Sequence, residues 1–285
     1  MSLSEAVLSG TGFVSRRDAI YVLQNVTGCT HEDILLRGNT ILCKMKLAEF
    51  ERKIKRIADG EPLQYVLGKW DFCGIEFIVD KRALIPRPET ELLVEAVISH
   101  IQNKQRLDIL DVCTGSGCIG LSIAELSGFR HNIVLADVSD QALSLAKENY
   151  LRVLPASTCK SLQEVRFLRG ISIFQSNLLD DIPGEYDVIV SNPPYIRSGD
   201  MKSLPENVKN HEPHLALDGG DDGLAIYKKL IPQSYDKLKP GGMLFLEIGP
   251  SQTIETMQNF GFINIEIRKD YAGVDRILQG VKSNV

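Results

Sequence analysis

The stretch Leu107-Asp108-Ile109-Leu110-Asp111-Val112-Cys113-Thr114-Gly115-Ser116-Gly117-Cys118-Ile119-Gly120 decides the fold class of this chain. Its first six residues read as a strand, and the rest turns directly into a helix running through Leu121 to Leu126. Glycines at 115 and 117 let a backbone come close to a nucleoside, and the helix start offers N–H groups with no intrahelical partner. A second strand, Asn132 to Asp137, ends on a carboxylate 22 positions after Gly115. An acid at that strand tip can accept both hydroxyls of a ribose. From about residue 86 the pattern is one of strand–helix repeats, which imply an α/β fold with a mostly parallel sheet.

Further along, Tyr186-Asp187-Val188-Ile189-Val190-Ser191 reads as a buried strand and empties into Asn192-Pro193-Pro194-Tyr195. Proline cannot extend a ladder and forces the residue before it into an extended conformation, so two in a row make a stiff loop at the sheet's carboxyl edge. Open α/β folds bind ligands at that edge. The loop presents one amide (Asn192), backbone carbonyls without a competing N–H, and one aromatic plane (Tyr195). This set suits a flat group carrying NH2: the amide oxygen and the Pro193 carbonyl accept its two protons, and the ring stacks on its face. A plain strand-terminating turn is the competing reading, since Asn and Pro are turn formers.

The spacing Gly115-x-Gly117-x-x-Gly120 also satisfies the dinucleotide fingerprint, which raises a nicotinamide dehydrogenase as an alternative. Hydride transfer needs an acid or base, and none is placed by motif. Tyr235-x-x-x-Lys239 has the spacing of a dehydrogenase pair, but it falls where a helix breaks at Pro240-Gly241-Gly242 and reads as surface charge.

Together the two loops resemble amino-group methyltransferases that use S-adenosylmethionine. Over most of its length the chain resembles the release-factor glutamine methyltransferases. The resemblance begins at Gly60-Glu61-Pro62-Leu63-Gln64-Tyr65 and Trp70-Asp71-Phe72, and continues at Pro86-Arg87-Pro88-Glu89-Thr90-Glu91. It then takes in the glycine loop, Asn192-Pro193-Pro194-Tyr195, Ala216-Leu217-Asp218-Gly219-Gly220 and Asp270-Tyr271-x-Gly273-x-Asp275-Arg276. Adenine-N6 methyltransferases of DNA and RNA share the Asn-Pro-Pro-Tyr tetrapeptide and are the alternative function. The Pro-Arg-Pro-Glu-Thr-Glu and Ala-Leu-Asp-Gly-Gly stretches point to the glutamine enzymes.

The resemblance implies a seven-stranded, Rossmann-like class I methyltransferase sheet. Its final strands, Ile263–Ile267 and Arg276–Leu278, should pair antiparallel across the short turn between them, beside Met243–Ile248. It further implies S-adenosylmethionine as cofactor and S-adenosylhomocysteine as product. Cys113, Thr114, Gly115, Ser116, Gly117, Asp137, Asn177, Leu178 and Asn192 would hold the cofactor. Arg87, Glu89 and Thr90 would line its methionine end, or Arg87 and Glu89 would form a structural ion pair. Asn192, Pro193 and Tyr195 would carry catalysis and, with Pro194, bind the acceptor. The acceptor implied is the glutamine of the Gly-Gly-Gln loop of class 1 peptide-chain release factors. Two positions depart from the family pattern. Cys113 replaces a usual glycine and is expected to sit in an extended conformation, and Asn177 stands where an acid is common near the adenine.

Residues 1–71 read as a helical, substrate-docking domain, 72–85 as a hairpin linker and 86–285 as the methyltransferase domain. Thr30-x-x-Asp33 has the pattern of a capping box, and Lys46 to Ala58 that of a charged amphipathic helix stopped by Gly60. The 285 residues carry 44% hydrophobic residues, enough for a sizeable core, and no apolar run nears the ~20 residues of a membrane span. The start shows no signal-peptide pattern. Six cysteines (29, 43, 73, 113, 118 and 159) lack Cys-x-x-Cys spacing, so reduced, buried thiols in a cytoplasmic protein are expected, and the protein is expected to be a monomer. His211-x-x-His214 has no third ligand nearby and reads as a loop pair, so no metal is expected. Net charge is −5, and the one basic cluster, Arg52-Lys53-Ile54-Lys55-Arg56, reads as a solvated helix face. Nucleic-acid enzymes usually carry a basic surface, so the charge favours a protein substrate.

Overall fold

In the computed structural model, which describes residues 1–154, 170–249 and 254–284, the chain divides between two units. The first comprises Met1–Trp70 together with Pro205–His211, and the second Asp71–Leu204 with Glu212–Val285. Among the described cysteines only Cys118 is buried, contrary to expectation: Cys43 is exposed and Cys29, Cys73 and Cys113 are half-buried, while Cys159 falls outside the described residues.

In the first unit, α1 (Leu3–Gly10), α2 (Arg16–Thr27), α3 (His31–Leu36), α4 (Lys44–Ala58) and α5 (Leu63–Leu67) follow in sequence. Thr30 and Asp33 form the capping box at the start of α3, and Ser2 with Glu5 forms another at α1. The apolar stripes of α1, α2 and α4 meet in a core of Leu3, Val7, Val22, Leu23, Phe50 and Ile54. Gly10 permits the approach, since a β-carbon there would stand 3.0 Å from Ala19 Cβ and 3.1 Å from Phe50 Cζ. The basic cluster on α4 is not a uniformly solvated face. Lys53 is buried and donates to Val66 O at 2.7 Å, and Arg56 pairs with Glu61. Lys and Arg stems cover apolar surface while the head finds an acceptor, and this unit uses two of them so.

A two-stranded sheet of β1 (Lys69–Phe72) and β2 (Ile75–Ile78) lies where the chain passes from the first unit into the second. The hairpin begins earlier than residue 72 because its two-residue turn is Cys73-Gly74. Both have positive φ (54° and 74°), the turn whose twist matches the flanking strands. There follow α6 (Pro88–Ile101), β3 (Asp108–Val112), α7 (Cys118–Leu126), β4 (Asn132–Asp137), α8 (Asp140–Val153), β5 (Ile171–Gln175) and β6 (Tyr186–Ser191). The chain then supplies α9 (Glu206–Lys209) to the first unit and returns with α10 (Tyr227–Lys237), β7 (Leu238–Glu247), α11 (Ile254–Asn259), β8 (Phe262–Lys269) and β9 (Asp275–Lys282).

Seven strands run in the order β5-β4-β3-β6-β7-β9-β8. The first five are mutually parallel, and β9 pairs antiparallel with both β7 and β8, as the short turn before it required. Alternate residues of the central strands feed two cores. Ile109, Val188, Val190 and Phe245 pack against α6 and α7, while Leu110, Ile189, Leu244 and Leu246 pack against Tyr227, Leu230 and Ile231 of α10. Burial on both faces explains the near-continuous apolar runs of these strands. β7 starts before Met243 because the chain bulges through Pro240-Gly241-Gly242, with Gly241 at a φ of 74°, and the register shifts opposite Tyr186/Val188.

Tyr235 and Lys239 are not a catalytic pair. Tyr235 lies on α10 with its hydroxyl 2.9 Å from Ser283 Oγ. Lys239, on β7, is a partly exposed surface charge that bonds Asp108 (2.7 Å) and Asp187 (2.8 Å) at the opening ends of β3 and β6.

Candidate active site

After β3 the chain turns away towards β4, whereas β6 lies on the other side of β3. A crevice opens at the carboxyl ends of strands at such a reversal. The two loops singled out in the sequence leave from this point. Val112 pairs with Ser191 as the last residues of β3 and β6, and Ser191 Oγ donates to Val112 O at 2.6 Å. A cavity of about 240 Å³ occupies the crevice.

The glycine loop forms one wall and is held from below by a buried acid. Asp111 Oδ2 accepts from Thr114 Oγ1 (2.6 Å) and from Gly120 N (2.9 Å). Burial pushes the Asp111 carboxyl up to about 7, which those two donors oppose. Gly120 serves packing: a β-carbon there would stand 2.2 Å from Leu135 Cδ2. Asn149, fully buried on α8, donates to Ser116 O at 2.9 Å and fixes the far side of the loop.

Cys113 corrects an expectation. Its φ is +59°, so it is not extended but left-handed, where a glycine would be unstrained. The chain must reverse there at once, because Thr114 N already bonds Ala136 O at 3.0 Å.

Asp137 ends β4 at the cavity wall. One carboxylate oxygen accepts Gly115 N (2.9 Å) and the other Ser139 N (2.9 Å). Each oxygen retains a lone pair for a further donor. Burial raises the Asp137 carboxyl, and the backbone donors hold it down. Ser176, Asn177 and Leu178 continue this wall. Leu178 takes a positive φ of 55°, and Asn177 Nδ2 donates to Asp180 Oδ2 at 3.2 Å.

The opposite wall is the segment Ala83 to Arg87 with Thr90. Arg87 pairs with Glu212, not with Glu89: Arg87 Nη2 lies 2.5 Å from Glu212 Oε1, and Glu212 Oε2 accepts Ile85 N at 3.1 Å. Glu89 is exposed on the first turn of α6 and does not line the cavity. The ion pair therefore ties the Ile85–Arg87 wall to the loop beginning at Glu212, whose Pro213, Leu215 and Ala216 also face the cavity.

Asn192 and Pro194 line the cavity, whereas Pro193 is buried and Tyr195 stands beside it, half-buried, with its ring against Gly249. Asn192 Nδ2 donates to Thr90 Oγ1 at 3.2 Å, so the oxygen is the end of the amide turned from Thr90. The glycines of Asp218-Gly219-Gly220-Asp221-Asp222-Gly223 clamp this loop. Ile196 N bonds Leu217 O, and Gly219 N bonds Ile196 O at 2.7 Å. A β-carbon at 219 would stand 2.7 Å from Tyr195 Cα, and one at 223 would stand 2.5 Å from Tyr195 O. The two motifs occur together because one is the other's bracket.

Sequence reasoning missed Glu247 and the structural parts of Asp111 and Glu212, the last noted only within the Glu212-Pro213 stretch that resembles the family. Glu247 ends β7 and accepts Thr90 Oγ1 at 2.6 Å, and burial pushes its carboxyl up to about 7. An acid inside an otherwise apolar strand, near its carboxyl end, was the available signal for both Asp111 and Glu247. Among the described residues no cluster suits a metal ion, and no helix is long and apolar enough to cross a membrane.

Comparison with known proteins adds the family. The model for the methyltransferase small domain matches residues 89–273, and that for the PrmC N-terminal domain matches residues 8–68. A protein of Clostridium acetobutylicum named release factor glutamine methyltransferase is 38% identical over 230 residues, covering 79% of this chain and 76% of that one. The chain belongs to the release-factor glutamine methyltransferase family. Another member, from Geobacter sulfurreducens, is 32% identical over 270 residues and covers 93% of this chain and 89% of its own. A methyltransferase structure from Pyrococcus furiosus superposes with a TM-score of 0.51 at 18% identity, covering 85% of this chain and all of that one, which shows the shared fold.

As a member of the family the chain is an S-adenosylmethionine-dependent methyltransferase. The cavity fits that cofactor: a carboxylate with spare lone pairs at the β4 tip suits ribose hydroxyls, and Leu178, Ile119 and Val138 give it apolar surface.

Proposed function

We propose that this enzyme methylates the side-chain amide nitrogen (N5) of the glutamine in the Gly-Gly-Gln loop of class 1 peptide-chain release factors. The hydrogen bond from Asn192 Nδ2 to Thr90 carries the reading, because it leaves the amide oxygen of Asn192 as an acceptor at the cavity. Cys113, Thr114, Gly115, Ser116, Asp137, Asn177, Leu178 and Asn192, which line the cavity, hold the cofactor, with Asp137 on the ribose, while Gly117 is not part of the lining and serves the turn into α7. S-adenosylmethionine supplies a methyl on a positively charged sulfur, and S-adenosylhomocysteine is what remains.

A primary amide is a weak nucleophile because its lone pair is delocalised into its carbonyl. Asn192 Oδ1 and the Pro193 carbonyl accept the two N–H bonds of the substrate amide and hold its nitrogen for in-line attack. As the new C–N bond forms, positive charge develops on nitrogen, and the same two dipoles stabilise it. The nitrogen then sheds one proton, now acidic. Tyr195 stacks on the amide plane. Arg87 and Thr90 act on this wall through Glu212 and Asn192.

The helical unit of Met1–Trp70 docks the body of the release factor; its family match over residues 8–68 and its exposed Leu8, Phe13, Leu36 and Met45 support this role. The protein acts as a cytoplasmic monomer without stable nucleic-acid contact, in keeping with its net charge of −5. The test is mass spectrometry of a release factor incubated with enzyme and S-adenosylmethionine. One methyl on the loop glutamine supports the assignment, and an unmodified glutamine overturns it.

A further inference from the structure

The Asn192 amide has two faces of opposite chemistry, and the proposed reaction works with only one of them turned to the substrate. An acceptor oxygen there receives an N–H bond, whereas an NH2 group there meets another NH2. Proline residues after Asn192 fix its backbone but do not choose between the two ends of its side chain.

The choice is made one layer out. Thr90 Oγ1 stands 3.2 Å from Asn192 Nδ2 and 2.6 Å from Glu247 Oε2, and Thr90 and Glu247 are both buried. A hydroxyl has one proton to give and lone pairs to receive with. With its proton committed to the Glu247 carboxylate, Thr90 can only accept from Asn192. It therefore binds the NH2 end and rejects the oxygen end. Tyr227 OH donates to the Glu247 backbone carbonyl at 2.8 Å and steadies the strand end that carries the carboxylate.

We infer that Thr90 and Glu247 are positioning residues that set the orientation of the Asn192 amide, through a one-way chain Asn192 to Thr90 to Glu247. The inference rests on the role proposed above for Asn192, and it assigns no contact with substrate to either residue.

The chain has a built-in dependence on protonation. When Glu247 gains a proton, that proton can be donated to Thr90 Oγ1. The Thr90 hydroxyl is then free to give its own proton to the oxygen end of Asn192, so it no longer selects the NH2 end. Several groups share this environment. Arg87 and Glu89 face Glu247 from the start of α6, Arg276 from β9, Tyr195 from the loop after β6 and Tyr227 from α10. Burial, with a smaller push from Glu89, lifts the group to about 7 against the Thr90 hydrogen bond and the two arginines, which favour the charged carboxylate. Orientation is thus enforced above that pH and lost as pH falls through it.

The test uses the full-length enzyme with release factor and saturating S-adenosylmethionine. Thr90→Val keeps the shape and removes the hydroxyl. A misaimed acceptor should lower kcat by about tenfold to a hundredfold, while KM for the release factor and affinity for S-adenosylhomocysteine stay within about threefold. Thr90→Ser, which restores the hydroxyl, should recover kcat. The wild-type kcat should fall on the acid side of about pH 7, and Glu247→Gln should abolish that limb. The side-chain amide NMR signals of Asn192, identified by their loss in Asn192→Ala, report orientation apart from turnover. They should move in Thr90→Val and titrate in the wild type but not in Glu247→Gln. An unchanged kcat in Thr90→Val, while Asn192→Ala is inactive, would overturn the inference and leave the proposed function standing. Full kcat in Asn192→Ala would instead remove the proposed function, and the NMR signals would then decide the orientation chain alone.

Discussion

Replacing Asp137 by Asn should separate cofactor binding from the rest of the site. The carboxylate already accepts Gly115 N and Ser139 N at 2.9 Å each, one on either oxygen. An amide of the same shape keeps one acceptor and sets an NH2 against one of those two N–H groups, so a loop bond is lost. It also removes the charge that strengthens the bonds to ribose, each worth about 1.5–3 kcal/mol. Losing the charge and one acceptor costs at least the lower end of that range for each of the two ribose bonds, so the expected loss is about 3 kcal/mol. At 1.4 kcal/mol per factor of ten, this is roughly a hundredfold in Kd. Calorimetric titration with S-adenosylhomocysteine measures it directly. A second signature is pH. Ribose hydroxyls donate to the charged form, so wild-type affinity should weaken as pH falls through the raised pKa of Asp137, and the Asn variant should be flat. A Kd changed by less than about threefold, with the pH dependence retained, would refute the ribose role.

Two further substitutions probe the loops. Cys113→Gly relieves a left-handed residue worth about 1–2 kcal/mol and gives back about 0.5–1 kcal/mol in backbone freedom, so urea denaturation should show a protein equal to or up to about 1.5 kcal/mol more stable. A clear loss would mean that the thiol is needed for packing. Gly249→Ala places a β-carbon 2.8 Å from Tyr195 Cδ2, so the ring must move at a cost of about 1–3 kcal/mol in thermal melts. Turnover should fall while S-adenosylhomocysteine affinity holds, and full turnover would show that the Tyr195 ring adds nothing.

What could be read from the sequence was what neighbours along the chain determine. The apolar runs of β3, β4 and β6, the glycine loop and the proline loop are local patterns, and each lies where expected. Their adjacency also followed, because a β–α–β chain with a terminal antiparallel strand has few arrangements. The parts that stayed hidden are contacts between distant segments. Thr90 meets Glu247 across 157 residues, and Ile85 meets Glu212 across 127. No periodicity reports such a pair. Cys113 was misread for a related reason: its backbone is dictated by the bond from Thr114 to Ala136 on the next strand, while its own side chain favours an extended form. Lys53 was read as solvated because the Val66 carbonyl that receives it belongs to another helix.

The central claim is that the methyl goes to an amide nitrogen of a protein, held by Asn192. One competition assay tests it most directly: S-adenosylmethionine with a labelled methyl, offered to wild-type and Asn192→Ala enzyme with release factor and DNA in the same tube. Label is expected on the loop glutamine and none on DNA, with transfer lost in Asn192→Ala and S-adenosylhomocysteine affinity kept within about threefold. Label on DNA that falls steeply with added salt, with the glutamine unmodified, would contradict it.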